Sequence, residues 1–343
     1  SSDLDSQRDV VLGYLGDGVP DPAPPVAAGR NTAGEAPSRQ RRALPLAPPA
    51  AVRWLAPDVV ELSRELDLGR DLYLDHHRLD GRPVLPAAMA MELMAEAALC
   101  CRPALEVVEI RGFQVLRGIG LDAGPLPLRV AARLQPAAAA PSAVEVQVEI
   151  RAGGDSAGPR YRATVGLAES LPHPGVVEPL SLTALRRFPL EIADASERWL
   201  FHGPLFAAIS SVDGVGERGI RARLRPSSPQ RCLAGGAEGS WLVDPVVIDG
   251  SFQMVILWSR LFNDMTPLPS RFDRYLRLGN LDGPELCCEV SVVSRSGGRT
   301  LTTRHLFTNS DGTAVGLLEG MESTCSTELN RLAGGSAAKG TTS

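Results

Sequence analysis

The chain has 343 residues and a formal net charge of −5, which is enough for two ordinary domains or one of double size with a large core. No block of lysine and arginine is dense enough for a nucleic-acid surface, and no apolar run is long enough to span a membrane. The six cysteines show no CxxC or metal-ligand spacing, and the N-terminus has no signal pattern. We therefore expect a cytoplasmic protein with reduced cysteines and no metal site.

Both ends of the chain lack the pattern of a folded core. Prolines cluster at positions 20–25 and 45–49, and residues 334–340 are rich in Gly, Ser and Ala. Such sequence forms extended linkers, so we predict a linker over residues 1–50 and a flexible tail over 329–343. A domain cut from a longer multidomain chain fits this pattern, and so does an independent protein with frayed ends.

The first strong element in the sequence is a helix over residues 87–101. It consists of strong helix formers and follows Pro86. Apolar residues surround it almost completely, and Glu92 and Glu96 mark its one polar edge. This pattern is typical of a helix that other structure encloses.

Strand-like segments follow, and the second half of the chain repeats the first in outline. Residues 144–150 alternate apolar and polar side chains, as a half-buried antiparallel strand does. After a Pro- and Gly-rich break, a second apolar helix begins behind Asp244, and a hairpin signal at 309–312 joins two further strands. We predict an α+β double hotdog, in which two antiparallel sheets each wrap around a central helix, with halves over 51–175 and 176–328.

His77 is the first candidate for chemistry. It precedes a tight turn at Gly81, whose flexible backbone allows close approach, and Pro83 and Pro86 stiffen the segment. The N-terminus of the following helix can polarise a carbonyl oxygen. A lone histidine is more often structural, but this context favours a base, and the spacing to Gly81 favours His77 over its neighbour His76.

Asp249 and Gln253 are the second candidates. They are four residues apart near the start of an apolar helix and therefore share one face. An aspartate there is most often an N-cap. Apolar neighbours such as Phe252 would also raise the pKa of its carboxyl, so that it holds a proton. Gln253 can hydrogen-bond this carboxyl or a substrate hydroxyl.

Two further segments have competing interpretations. In the stretch 201–206, the Gly-Pro pair at 203–204 fixes a turn between two phenylalanines that belong to the core or a tunnel wall. His202 fits a substrate-side hydrogen-bond group and a structural residue equally well. Residues 267–272 are most simply a rigid loop, and lining of the site is the second interpretation.

Together these residues resemble the motifs of a known family, the dehydratase domains of type I polyketide synthases. His77-xxx-Gly81-xxxx-Pro86 is similar to their HxxxGxxxxP motif, and Asp249-xxx-Gln253 to their DxxxQ/H motif. His202-Gly203-Pro204-x-Phe206 is similar to their YGPxF motif, and Leu268-Pro269 matches the proline loop that follows. The order and spacing of all four motifs fit the family.

Two departures from the family pattern stand out. His202 replaces the tyrosine of many members, and Gly250-Ser251 replaces the more usual small apolar pair after the aspartate. The residues around the first and third motifs resemble iterative synthases of the enediyne and polyunsaturated fatty acid types.

The resemblance implies that the domain removes water from a β-hydroxyacyl thioester carried on the phosphopantetheine of an acyl carrier protein. His77 is then the base that takes the α-proton and Asp249 the acid that protonates the departing hydroxyl, without metal or redox cofactor. The partners implied are the acyl carrier protein, neighbouring synthase domains and a second copy of the chain as a homodimer. The residues expected to bind or orient the substrate are Gly81, Pro86, His202, Gly203 and Gln253.

Other functions fit the same pattern. A cyclase or a double-bond isomerase of this fold can use the same histidine and aspartate. An inactive docking domain of a megasynthase is a further alternative, against which the intact motif residues argue. A hotdog thioesterase is a weaker alternative, because hydrolysis needs a positioned water.

Overall fold

The computed structural model describes residues 42–122, 124–136, 144–154, 158–177 and 182–333. Residues 1–41 of the predicted linker and residues 334–343 of the predicted tail lie outside these ranges. Among the described residues, no helix is both long and apolar enough to cross a membrane.

The described residues form strands, α-helices and short 3-10 helices. The strands are β1 (Val52–Ala56), β2 (Val59–Leu66), β3 (Arg78–Leu79), β4 (Arg82–Pro83), β5 (Glu106–Val115), β6 (Leu126–Leu134), β7 (Val144–Ala152), β8 (Tyr161–Ala168), β9 (Ile209–Gly216), β10 (Gly219–Leu224), β11 (Thr266–Arg277), β12 (Leu286–Ser296), β13 (Thr300–Thr308) and β14 (Ala314–Ser326). The helices are α1 (Ala87–Cys101), α2 (Ile192–Trp199), α3 (Pro229–Cys232) and α4 (Pro245–Asn263). The 3-10 helices are Pro49–Ala51, Leu72–His76, Pro174–Val176, Pro204–Phe206 and Glu328–Leu332.

Twelve strands form one antiparallel sheet in the order β1-β2-β6-β7-β8-β5-β11-β14-β13-β12-β10-β9. The first six strands of this order come from the N-terminal half of the chain and the last six from the C-terminal half. The halves join where β5 pairs with β11, and there Phe113 stacks on Phe272 with ring centroids 4.8 Å apart. The double hotdog prediction is confirmed, with the difference that the two sheets are continuous.

The helix α1 is the centre of the N-terminal half. It begins directly after Pro86 and ends at Cys101, as predicted, and every side chain along it is buried except that of Cys100. It packs on β5, β6 and β7 and also on α4 of the other half. Both glutamates that the sequence placed on a polar edge, Glu92 and Glu96, have no exposed surface.

The helix α4 is the centre of the C-terminal half. Asp244 caps it, because its Oδ1 accepts the N–H groups of Val246 and Val247 at 2.9 and 3.2 Å. Pro245 occupies the first helical position, and Asp264 in the left-handed conformation (φ 49°) follows the last turn. The capping function therefore belongs to Asp244, which leaves Asp249 available for another role.

The predicted hairpin at 309–312 is confirmed, since β13 and β14 pair antiparallel on either side of it. The predicted rigid loop at 267–272 is wrong, because these residues lie within β11. Proline is tolerated there since β11 pairs with β5 only from Arg271 onward, so Pro267 and Pro269 have a neighbouring strand on one side only.

The folded body also begins earlier than the predicted boundary at residue 50. Leu46 and Ala47 are buried, and their backbone N–H groups donate to Glu96 Oε2 at 2.8 and 2.7 Å. The prolines around these two residues gave the segment the composition of a linker. The carboxylate that holds it lies about fifty residues further along the chain, beyond the reach of local pattern.

The predicted tail likewise starts inside the folded body. Leu329 and Leu332 are buried, and Arg331 forms an ion pair with Asp80 at 2.7 Å. Asn330 accepts a hydrogen bond from Thr266 at 2.9 Å. The last described residues thus pack beside the start of β11.

Candidate active site

His77 and His202 are brought together by two loops that pair as an isolated antiparallel bridge. Gly203 N donates to His76 O at 2.8 Å beside this bridge. A Cβ atom on Gly203 would lie 2.5 Å from His76 Nδ1 and 3.1 Å from its Cα. The glycine is therefore required for the close approach of the two loops.

The proton on the His77 ring is placed by its backbone contact. Nδ1 lies 2.9 Å from Val84 O, and a carbonyl oxygen only accepts, so Nδ1 carries the proton and Nε2 has a free lone pair. The Val84 N–H in turn donates to His77 O at 3.0 Å. Burial lowers the pKa of His77 to about 4. The ring is thus neutral at pH 7, and Nε2 is able to accept a proton.

Asp249 projects from the second turn of α4 and is buried. Gln253 Nε2 donates to its Oδ2 at 2.8 Å and to Phe206 O at 2.9 Å, which fixes the carboxyl against the 3-10 turn. Burial raises the pKa of Asp249 to about 7, and the bond from Gln253 opposes this only in part. Asp249 is therefore able to hold a proton near neutral pH and to release it.

His202 stands between the two groups. Its Nε2 lies 3.2 Å from Asp249 Oδ2, and its ring stacks on Phe201 with centroids 4.0 Å apart. Burial, and then the neighbouring His77, lower the pKa of His202 well below its usual range. Because the pKa of His202 is lowered, its ring is neutral at pH 7, and the contact is not an ion pair. His202 Nδ1 has no hydrogen-bond partner among the described residues.

These three side chains face one small cavity between the two halves. Its volume is about 30 Å³, room for a water-sized group or two. The apolar surroundings exclude bulk solvent, so the electrostatic effect of each polar group is stronger here than in water. The lining residues are His77, Leu79, Ala87, Phe201, His202, Asp249, Phe252, Ile256, Pro267, Leu268, Pro269 and Ser323.

His77, His202 and Asp249 are also the described residues that could hold a metal ion, since their ligand atoms lie within 4.8 Å of one another. Two imidazoles and a carboxylate are ligand types that Zn²⁺ accepts. The oxygen Oδ2 of Asp249 is already in contact with Gln253 and His202.

Gly81, predicted to bind or orient the substrate, does not line this cavity. It is exposed at the tip of the β3–β4 hairpin, where Asp80 and Gly81 have φ angles of 49° and 79°. Two consecutive positive φ angles define a type I′ turn, for which Asp-Gly is a preferred pair. A Cβ on Gly81 would meet nothing within 4 Å, so the glycine serves the turn rather than a close approach.

Three other residues predicted to bind or orient the substrate lie next to the site rather than in its lining. Pro86 precedes α1, and Gly203 and Gln253 hold His202 and Asp249, but these three do not line the cavity. The wall formed by Pro267, Leu268 and Pro269 agrees with the second interpretation of that segment. Three lining residues were not predicted, because they belong to regular elements with no local signal of function: Leu79, Ala87 and Ser323.

Comparisons with known proteins identify the fold. A model of the polyketide synthase dehydratase N-terminal domain matches residues 186–333. A polyunsaturated fatty acid synthase polypeptide of Thraustochytrium sp. (strain ATCC 26185 / S-3) is 28% identical over 225 residues, 64% of this chain. The chain spans 8% of the length of that relative.

Solved structures match over most of both chains. The dehydratase domain from the CurF module of Curacin polyketide synthase matches with a TM-score of 0.64 and 14% identity, over 83% of this chain and 100% of the other. The dehydratase domain of PpsC from Mycobacterium tuberculosis, in complex with C12:1-CoA, gives 0.63 and 21% over the same shares. The resemblance to polyketide synthase dehydratase domains is confirmed.

The family model and the solved structures match different shares of the chain. The family model covers His202 and Asp249 but not His77, which lies in the N-terminal half. The dehydratase structures cover both halves and establish the shared fold. The curated relative is itself part of a polyunsaturated fatty acid synthase, one of the synthase types that the sequence motifs resemble.

Proposed function

We propose that this domain removes water from a β-hydroxyacyl thioester and releases an α,β-unsaturated thioester. The observation that carries the proposal is that a neutral histidine with a free Nε2 and a buried carboxyl with a raised pKa face one cavity from opposite halves. An elimination needs a base at the α-carbon and an acid at the β-oxygen of adjacent carbons. The dehydratase resemblance supports the same chemistry.

In this proposal each group performs one proton transfer. His77 Nε2 takes the α-proton, and the electrons of the broken C–H bond form the new double bond. The bond from the β-carbon to oxygen breaks, and the proton of Asp249 joins the departing hydroxyl to give water. The site is left with an imidazolium and a carboxylate, and transfer of one proton from His77 to Asp249 restores the starting state.

The thioester oxygen gains negative charge as the α-proton leaves, and the start of α1 is suited to stabilise it. Ala87, the first residue of α1, lines the cavity. No side chain caps this helix end, so its first N–H groups are left available to a substrate oxygen. Backbone N–H donors in an apolar site are effective for such developing charge.

His202 and Gln253 orient the acid. Gln253 holds Asp249 Oδ2 against Phe206 O, and His202 contacts the same oxygen. The second carboxyl oxygen is then available for the substrate hydroxyl. Phe201, Phe252 and Leu268 supply apolar wall for the acyl chain.

We also propose that the substrate is presented on the phosphopantetheine arm of an acyl carrier protein, within a larger synthase and in a homodimer. The relatives named above are parts of multidomain synthases. CoA, bound to the PpsC domain as C12:1-CoA, contains the same phosphopantetheine arm. The proposed elimination uses only protein groups and requires no cofactor bound by this domain.

The test is mass spectrometry of a 3-hydroxyacyl thioester, loaded on a carrier protein, before and after incubation with the domain. We expect the mass of one water to be lost, and this loss to disappear with His77→Phe. An unchanged mass with a new retention time would show ring closure or isomerisation instead. No conversion of several carrier-bound substrates would favour a docking domain.

A further inference from the structure

A second buried histidine lies behind the cavity and takes no part in the proposed proton transfers. His305, on β13, has no exposed surface. Its Nδ1 lies 2.8 Å from Ser251 Oγ on α4, and its Nε2 lies 2.8 Å from Thr303 Oγ1 on its own strand. Ser251 and Thr303 are also fully buried. The three side chains connect the sheet to the helix that carries Asp249.

A direction can be assigned to each hydrogen bond among Ser251, His305 and Thr303. Ser251 Oγ donates its single proton to Ile248 O at 2.7 Å, so it accepts from His305 Nδ1–H. Burial lowers the pKa of His305 to about 3, so the ring is neutral, and its Nε2 accepts from the Thr303 hydroxyl. Both ring nitrogens of His305 therefore have partners, and the Thr303 hydroxyl also lies 3.4 Å from Met321 O.

The connection lies on the opposite side of α4 from the acid. Ser251 follows Asp249 by two residues, which is about 200° around a helix. Asp249 therefore faces the cavity while Ser251 faces β13. Phe252, the next residue, lines the cavity, and its ring meets the His305 ring edge-on with centroids 6.1 Å apart. Gln253 holds the helix on the cavity side, and His305 holds it on the sheet side.

Stability alone does not account for this arrangement. Two apolar side chains at these positions would fill the same space without removing polar groups from water, and such replacements are often neutral or stabilising. A fully satisfied polar network instead selects one orientation of the helix, because a rotated helix would leave buried donors without acceptors.

We propose that Ser251 and His305 are positioning residues, whose hydrogen bond fixes the rotation of α4 and so aims Asp249 and Phe252 into the cavity. This inference rests on the proposed dehydration. Small displacements of a reacting group reduce turnover strongly, so loss of the bond lowers kcat about tenfold and changes KM little.

The experiment compares four variants of the full chain in the dehydration assay and in thermal unfolding. Ser251→Ala leaves the His305 N–H without an acceptor, so we expect lower kcat and a lower melting temperature. The double variant Ser251→Ala/His305→Phe removes both partners, so its melting temperature recovers while kcat stays low. His305→Asn, whose amide N–H can replace Nδ1–H, keeps most of kcat. Ser259→Ala is the matched control, because Ser259 is a buried serine of α4 whose hydroxyl has no partner among the described residues.

The deciding measurement is kcat of the double variant, taken at a temperature where circular dichroism shows that the variant is folded. A kcat about tenfold below that of the parent supports positioning, and a kcat within about twofold of the parent overturns it. Carboxyl ¹³C NMR of Asp249, assigned with Asp249→Asn, gives a readout that does not depend on turnover. We expect its titration midpoint to fall in the double variant as water reaches the carboxyl. If the parent removes no water, the proposed function fails. An unchanged titration midpoint of Asp249 in the double variant would separately overturn the positioning role.

Discussion

Both central helices carry buried carboxyl groups. Those on α1 accept hydrogen bonds from backbone N–H groups. Glu92 accepts the N–H groups of Leu242 and Val243 at 2.8 and 2.6 Å, which ties the N-terminal half to the segment that leads into α4. Glu96 holds residues 46–47 in the same way. These carboxyls connect three separate parts of the chain, and neither lines the cavity that Asp249 faces.

The two glutamates of α1 also influence each other's pKa. Glu96 Oε1 is buried and has no hydrogen-bond partner among the described residues. Burial raises the pKa of both groups, and the negative charge of Glu92 raises that of Glu96 further. Both shifts favour the protonated form, and the effect is stronger at Glu96.

On α4, by contrast, Asp249 has one amide donor and one imidazole contact, and it opens onto the cavity. The comparison shows what separates a structural carboxyl from a candidate acid in the same kind of helix. Backbone donors on both oxygens, as at Glu92, fix a carboxylate in place. A carboxyl with few donors in an apolar cavity keeps a proton that a substrate can take.

The largest expected effect is that of Asp249→Asn. The amide keeps the shape of the side chain but cannot give a proton, so we expect kcat to fall about a thousandfold. Initial rates of water loss measure it. The matched control is Asp244→Asn, the same change five residues earlier on the capping carboxylate. Comparable loss of kcat in both variants would contradict the assignment of Asp249 as the acid.

The pH dependence of kcat/KM follows from the two pKa shifts. His77 must be neutral, so activity rises as pH rises through about 4. Asp249 must be protonated, so activity falls as pH rises through about 7. Each limb changes kcat/KM about tenfold per pH unit. A rate that stayed constant as pH rises through 7 would show that Asp249 does not act as the acid.

Glu92→Gln tests the structural side of the comparison. A glutamine offers one oxygen to two backbone donors and places its own N–H₂ against the second, so we expect the free energy of unfolding to fall by about 1–3 kcal/mol. Urea denaturation measures this change. Asp249→Asn, which removes no backbone bond, should leave the stability close to that of the parent. A larger loss of unfolding free energy in Asp249→Asn than in Glu92→Gln would contradict the assignment of Glu92 as the structural carboxyl.

The smallest expected effect is that of Gly81→Ala. The positive φ of 79° at this position costs an alanine about 1 kcal/mol, which thermal unfolding detects. Water loss should continue at the rate of the parent, because Gly81 does not line the cavity. A large drop in kcat without a change in stability would return Gly81 to the substrate site.

Local patterns in the sequence predicted much of the fold. Helix formers after Pro86 predicted α1, and Asp-Gly near residue 311 predicted the β13–β14 hairpin, because these signals act over a few residues. The junction of β5 with β11 was not predictable, since pairing between distant strands depends on the assembled sheet. The ties from Glu96 to Leu46 and Ala47 were missed for the same reason.

The candidate site shows the same division. The motif spacing identified His77, His202 and Asp249, and the structure brings all three to one cavity. The same motif assigned Gly81 to the substrate, although its positive φ serves a turn. His305 lies 54 residues from Ser251, and nothing in either neighbourhood signals a contact that exists only after the sheet has formed around α4.

The most direct test of the central claim is the rate of water loss by the parent, His77→Phe, Asp249→Asn and the double variant in one assay. A base and an acid that act on the same substrate form a unit, so losses from removing either are not additive. We predict that all three variants fall to a similar residual rate. Parent-like water loss by either single variant would contradict the account, and so would a double variant whose loss equals the product of the two single losses.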